Sequence, residues 1–85
     1  MKDLTVVLAM VKKERQRQDK MWGYPQNNAP FEWLAILAEE FGEFAQAMND
    51  LMFKGEGGVD RVLEEAIEVA AVAVAIVEHL SGEGK

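Results

Sequence analysis

Cysteine is absent from the sequence, and histidine occurs once, at His79. Without cysteine neither a disulfide nor a thiolate metal site can form, and a single histidine excludes a multi-histidine centre within one chain. A chain of this kind suits a reducing cytoplasm, which is the expected location. Long hydrophobic runs are also missing. The longest, Val69 to Val77, has nine residues, about half of the ~20 that a bilayer requires. The apolar stretch from Leu4 to Val11 has no small-residue cleavage site and runs into Lys12-Lys13-Glu14-Arg15, so it does not read as a signal peptide. No membrane partner is expected.

Positive charge is scarce: nine Lys and Arg stand against fifteen Asp and Glu, a formal net charge of -6. A protein that neutralises many phosphates of a polymer carries the opposite balance, so nucleic acid polymers are set aside as partners. A small phosphorylated substrate stays compatible, provided cations stand between its charges and the carboxylates.

What the chain has in quantity is apolar surface, 49% of 85 residues. That length makes one domain, residues 1–85, and a unit so small leaves much of its surface in water. Burial against another copy is therefore expected, as a homodimer or a homotetramer.

Apolar residues at Leu4, Val7, Leu8 and Val11 recur at helical spacing and predict a first helix over about residues 2 to 21. The same stripe continues to Arg15, Gln18 and Trp22. The core-facing seam thus turns polar halfway along, either because it does chemistry or because the helix runs out past the end of the bundle. Gly23-Tyr24-Pro25-Gln26-Asn27-Asn28-Ala29-Pro30 is a loop, with Pro30 suited to the first turn of the next helix. A second helix is predicted from about Pro30 to Phe53, with Trp33, Ile36, Leu37, Phe41, Phe44, Ala45, Met48 and Met52 on its apolar face. The segment Lys54-Gly55-Glu56-Gly57-Gly58 stops it. Asp60 is the expected cap of a third helix over about Arg61 to Leu80, apolar nearly all round between Ala66 and Val77. The tail from Ser81 to Lys85 is expected to fray. The fold class is all-α: three main helices, with the hairpin of the second and third pairing with another subunit into a four-helix bundle.

Both long helices carry the same acidic spacing, Glu39-Glu40-x-x-Glu43 and Glu64-Glu65-x-x-Glu68. Residues at i, i+1 and i+4 fall at roughly 0, 100 and 40 degrees, so each triplet projects to one side of its helix. An antiparallel hairpin lets the two triplets face one another. Carboxylates so placed repel, and they either raise their pKa values or gather a cation, Mg²⁺ being the ion suited to several oxygen ligands. Solvated glutamates on helix faces are commoner than metal sites. Glu68, however, stands between Ile67 and Val69 in an apolar segment, where an unpaired carboxylate costs several kcal/mol. Arg61, four positions before Glu65, is read as a surface partner along the same helix.

The stretches Gln18-Asp19-Lys20-Met21-Trp22-Gly23, Trp33 to Glu43 and Glu64 to Ala73 resemble the MazG-like members of the all-α nucleoside triphosphate pyrophosphatases. The resemblance covers nearly the whole chain. The family pattern is Glu-Glu-x-x-Glu on one helix and Glu-x-x-Asp on the next. Glu39, Glu40 and Glu43 match the first part, Glu65 and Glu68 the second, with 21 residues between Glu43 and Glu65 and with Glu68 where the family usually has Asp.

This resemblance implies Mg²⁺-dependent hydrolysis of a nucleoside triphosphate, canonical or noncanonical and expected to be of the deoxy series, to the monophosphate and pyrophosphate. It implies metal ligation, with Mn²⁺ as a substitute ion, by Glu39, Glu40, Glu43 and Glu68, and proton acceptance by Glu40 or Glu65. Arg15, Gln18, Lys20, Trp22 and Lys54 are the candidate substrate contacts. Among the basic residues Arg15 ranks first because it continues the core-facing stripe, whereas Lys12, Lys13 and Arg17 are expected in solvent. Trp22 is a candidate to stack on a base and Trp33 is expected in the core. The loop from Trp22 to Pro30 is expected to wall the base pocket.

The alternative from another class is a non-catalytic helical bundle whose acidic face binds a partner protein. A di-iron carboxylate bundle needs Glu-x-x-His, and the residue three before His79 is Ile76. His79 is expected to interact with the terminal carbonyls of its helix.

Overall fold

The computed structural model describes residues 1–24 and 26–81; Pro25 and residues 82–85, which hold most of the tail expected to fray, lie outside the described residues. Three α-helices and no strand occur among the described residues: α1 (Leu4–Trp22), α2 (Pro30–Asn49) and α3 (Val59–Ser81). No described helix is long and apolar enough to cross a membrane.

Each boundary has a local cause. The Asp3 carboxylate accepts the Val6 amide at 3.0 Å and caps α1. At the other end Gly23, at φ 92°, donates its amide to the Asp19 carbonyl at 2.8 Å, a conformation that costs a residue without a side chain least. Pro30 opens α2, and Glu32 reaches back to accept the Ala29 amide at 2.6 Å. The second helix predicted to Phe53 is in fact two pieces. The α-helical part ends at Asn49, and a five-residue π-helical turn, Asp50–Lys54, follows before Gly55 in the left-handed region. The third helix also begins earlier than its acidic residue suggests. The Gly58 carbonyl accepts the Arg61 and Val62 amides, so Asp60 lies inside the first turn rather than at the cap. Its charge there still favours the positive end of the helix dipole.

Helices α2 and α3 form an antiparallel hairpin. Trp33, near the start of α2, lies against the His79 ring near the end of α3, with centroids 5.9 Å apart. At the opposite end Arg61 donates to Asp50 at 2.8 Å. His79 therefore lies beside the indole, its ring tilted 49° to it, and Arg61 reaches from α3 to Asp50 instead of pairing along its own helix with Glu65. Ala47, Ala71, Val72 and Ala75 join Trp33 and Val11 in the core; three alanines among them let the backbones approach closely.

Helix α1 also packs on α3. Arg15 reaches Glu78, while Arg17 and Lys20 border a hollow shared with Glu64 and Glu68. Glu68 and Glu78 are ten positions apart, about 15 Å along a helix. Side chains of α1 thus reach positions well separated along α3.

The stripe on α1 is buried in the reverse of the expected order. Leu4, Val7 and Leu8 are exposed and Val11 is buried, whereas Arg15 and Gln18 are only 6% and 1% exposed. The polar half of the seam is thus the part that enters the core, which removes the explanation that the helix runs out past the bundle. Within one chain α3 is not enclosed: Ala73, Val74 and Val77 are exposed. On α2, Trp33 is buried and Ile36, Leu37, Phe44 and Ala45 are half-buried, but Phe41 and Met48 face outward, as does Met52 in the π-helical turn.

Candidate metal centre

The hairpin brings four glutamates together, two from each helix. One carboxylate oxygen each from Glu40, Glu43, Glu65 and Glu68 lies within 4.8 Å of the others. Their spacing explains the pairing: i and i+3 share a face of a helix, so 40 with 43 and 65 with 68 point the same way across an antiparallel contact. Glu40, Glu65 and Glu68 are half-buried and Glu43 is exposed.

No basic side chain neutralises the quartet directly. None of the ion pairs among the described residues involves any of the four. Glu40 Oε1 and Glu65 Oε1 are buried without a hydrogen-bond partner. Desolvation, a shared hydrogen bond with Glu68 and the charges of Glu43, Glu68 and Glu65 push the Glu40 carboxyl up to about 7. Glu65 is also raised, by desolvation first and then by the charges of Glu68 and Glu43, with Arg61 opposing. One carboxylate beside another satisfies neither, unless a proton or a cation lies between them.

Two hollows adjoin the quartet. One, of about 370 Å³, is lined by Trp22, Gln26, Asn27, Asn28, Ile36, Glu39 and Glu40, and holds the unpartnered Gln26 Nε2. The other, of about 700 Å³, lies between α1 and α3 and opens beside Glu68, with Lys13, Arg17 and Lys20 along its α1 wall. The charge of Arg17 is felt at Glu68 and Glu40, although its hydrogen bonds go to Glu14, at 2.8 and 2.6 Å, and to the Met21 sulfur, at 2.9 Å.

The expected site residues distribute as follows. Glu40, Glu43 and Glu68 stand together, and Glu65 joins them; Glu39 lies outside the quartet, on the wall of the smaller hollow beside Glu40. Trp22 borders the same hollow and Lys20 the larger one. Arg15 is held inside the protein, donating to Glu78 at 3.0 Å, to Asp19 at 2.6 Å and to Gln18 at 3.2 Å. Gln18 donates onward to Glu14 at 3.2 Å. Neither Arg15 nor Gln18 lines either hollow. Lys54 sits 3.6 Å from Asp50 and lies eleven residues beyond Glu43, about 16 Å farther along the chain at helical rise.

Lys13 and Arg17 are exposed, as the sequence led us to expect, and both also border the hollow that Glu64 and Glu68 line. The signal that could have found them is the spacing Lys13, Arg17, Lys20, which puts three cations on one face of α1. Comparisons of the chain with protein-family models, with curated proteins and with solved structures find no match.

Proposed function

We propose that this chain is a Mg²⁺-dependent nucleoside triphosphate pyrophosphohydrolase of the MazG-like kind, releasing a nucleoside monophosphate and pyrophosphate. The observation that carries this reading is the pair of donorless buried oxygens, on Glu40 and Glu65, inside a four-carboxylate cluster. A hard divalent ion fits such a donor set, since every available ligand atom is an anionic oxygen, and Mn²⁺ accepts the same ligands. Glu40, Glu43, Glu65 and Glu68 would hold it. Held there, magnesium would supply positive charge against the triphosphate and would make a water bound to it more acidic.

The chain's own groups do the rest. Water attacks the α-phosphorus, the bond from that phosphorus to the bridging oxygen breaks, and pyrophosphate leaves. Glu39 is the carboxylate beside Glu40 that the quartet does not use, and in this reading it would accept the proton of the attacking water. The hollow lined by Trp22, Gln26, Asn27 and Asn28 suits the nucleoside: an aromatic face for stacking and carboxamides that both donate and accept toward a base edge.

The same reading includes self-association. Leu4, Leu8, Phe31, Leu34, Phe53 and Val77 are all exposed apolar side chains, more than a small monomer usually carries in water. A second copy laid against the open face of the hairpin would complete a four-helix bundle around α3. Static light scattering on the purified protein distinguishes monomer, dimer and tetramer.

The enzymatic reading is tested with canonical and modified nucleoside triphosphates and Mg²⁺. Monophosphate and pyrophosphate are expected in equal amounts, and Glu43→Ala is expected to lower the rate by at least about 100-fold. Absence of both products across the panel would leave the protein as an acidic interaction module.

A further inference from the structure

The hydrolytic reading leaves open which way the triphosphate lies across the carboxylates. We infer that Lys13, Arg17 and Lys20 form a track for the two terminal phosphates, so that pyrophosphate departs on the α1/α3 side while the nucleoside occupies the hollow beside Glu39. This inference rests on the proposed activity and adds a direction and a leaving-group site to it.

The two hollows differ in chemistry in the way the two ends of a nucleotide differ. The one beside Glu40 offers an indole and three carboxamides and has no basic side chain. The one beside Glu68 offers three cations at i, i+4 and i+7 of α1, within a hollow of about 700 Å³. Three further cations have anionic partners elsewhere: Arg15 pairs with Asp19 and Glu78, and Arg61 and Lys54 with Asp50. Pyrophosphate next to Glu64 and Glu68 would be repelled unless basic groups faced it, and the α1 wall places them there.

Arg17 is arranged to change partners. Its guanidinium grips both oxygens of Glu14, at 2.8 and 2.6 Å, and the side chain is otherwise exposed. A phosphate accepts the same forked pair of donors. Glu14 does not lose every partner when Arg17 turns away, because Gln18 also donates to it at 3.2 Å. Glu14 therefore holds Arg17 beside the track and competes with phosphate for it, so Glu14 and Arg17 have opposite effects on the same ligand.

The test is calorimetric titration of the full chain, in Mg²⁺, with inorganic pyrophosphate and separately with a nucleoside monophosphate. Arg17→Gln is expected to weaken pyrophosphate binding by about tenfold or more, as loss of a charged hydrogen-bond pair does. Its monophosphate affinity stays within about twofold of the parent's, a shift too small to count as loss of a charged contact. Glu14→Gln is expected to tighten pyrophosphate, and Trp22→Ala to weaken the monophosphate alone. Circular dichroism and Mg²⁺ affinity equal to the parent protein's establish that each variant is folded. Parent-like pyrophosphate binding by Arg17→Gln, or equal loss of both ligands, overturns the track even if triphosphates are hydrolysed. The split between ligands without any hydrolysis would retain the track and overturn the enzymatic reading instead.

Discussion

Two clusters of charge lie against α3, and they are built in opposite ways. Around Arg15, one cation is enclosed by Asp19, Glu78 and the Gln18 carboxamide, each within 3.2 Å. Around Glu40, four carboxylates meet with no cation among them. The first is self-sufficient, and burial of its guanidinium is compensated by the anions it holds. The second is incomplete as a set of protein groups, and an incomplete set of half-buried charges is how a binding site differs from a structural ion pair. Burial of charge alone does not separate the two; the sum of the charges does.

Three changes should sharpen this contrast. Arg15→Met has the largest expected effect on stability. It leaves the buried Gln18 oxygen without its donor and leaves Asp19 without its closest cation, costing about 2 kcal/mol, less than a wholly enclosed pair because Glu78 is partly in water. Urea unfolding measures it, and a change under about 0.5 kcal/mol would make the Arg15 cluster as dispensable as a surface pair.

The acidic cluster should respond to pH with the sign of a carboxyl raised by folding. Glu40 holds its proton up to about 7, against an ordinary 4.5, and Glu65 shifts the same way. The folded protein then keeps protons that the unfolded chain has released, so this contribution is complete below about pH 4.5 and lost as pH rises through about 7. In the presence of a chelator the melting temperature should fall between about pH 5 and pH 8. Glu40→Gln should flatten that slope, and saturating Mg²⁺ should oppose it, since a divalent ion binds the ionised form. A chelated parent protein that grows more stable over this range would mean that the four acids do not interact.

The smallest effect is expected from Glu68→Asp. Shortening the side chain by one methylene withdraws its oxygen by about 1.5 Å, and Mg²⁺ affinity measured by calorimetry should fall by about tenfold. A tighter site would indicate that the longer side chain holds its oxygen too near the other three.

Much of this contrast was legible in sequence, but unevenly. Helix periodicity and the glycine and proline breaks mark α1, α2 and α3 because local spacing governs both. Two acidic triplets on consecutive helices predict a meeting of carboxylates, since a short turn forces the helices antiparallel. The membership of that meeting is a different matter. Glu39 and Glu40 differ by roughly 100 degrees around the helix, and only the packing of α2 on α3 decides that Glu40 faces across with Glu65 while Glu39 looks to the side. Arg15 was legible as inward-facing, but its partner Glu78 is 63 residues away in the chain and no spacing announces it. Arg17 was legible as solvent-facing, but its place on the hollow beside Glu68 depends on the packing of α1 against α3, which no local spacing announces.

Polar contacts run without a break across α1, from Glu78 through Arg15, Gln18 and Glu14 to Arg17. They key the rotation of that helix to the far end of α3, much as a tooth fixes a gear. Turning α1 by one residue would carry every basic group on its outer wall to a new bearing and break the chain of contacts behind it. The aim of Arg17 is therefore set from the rear of the molecule, and Glu78→Gln, remote from the carboxylates, should change the pyrophosphate affinity of the proposed track in the same calorimetric titration.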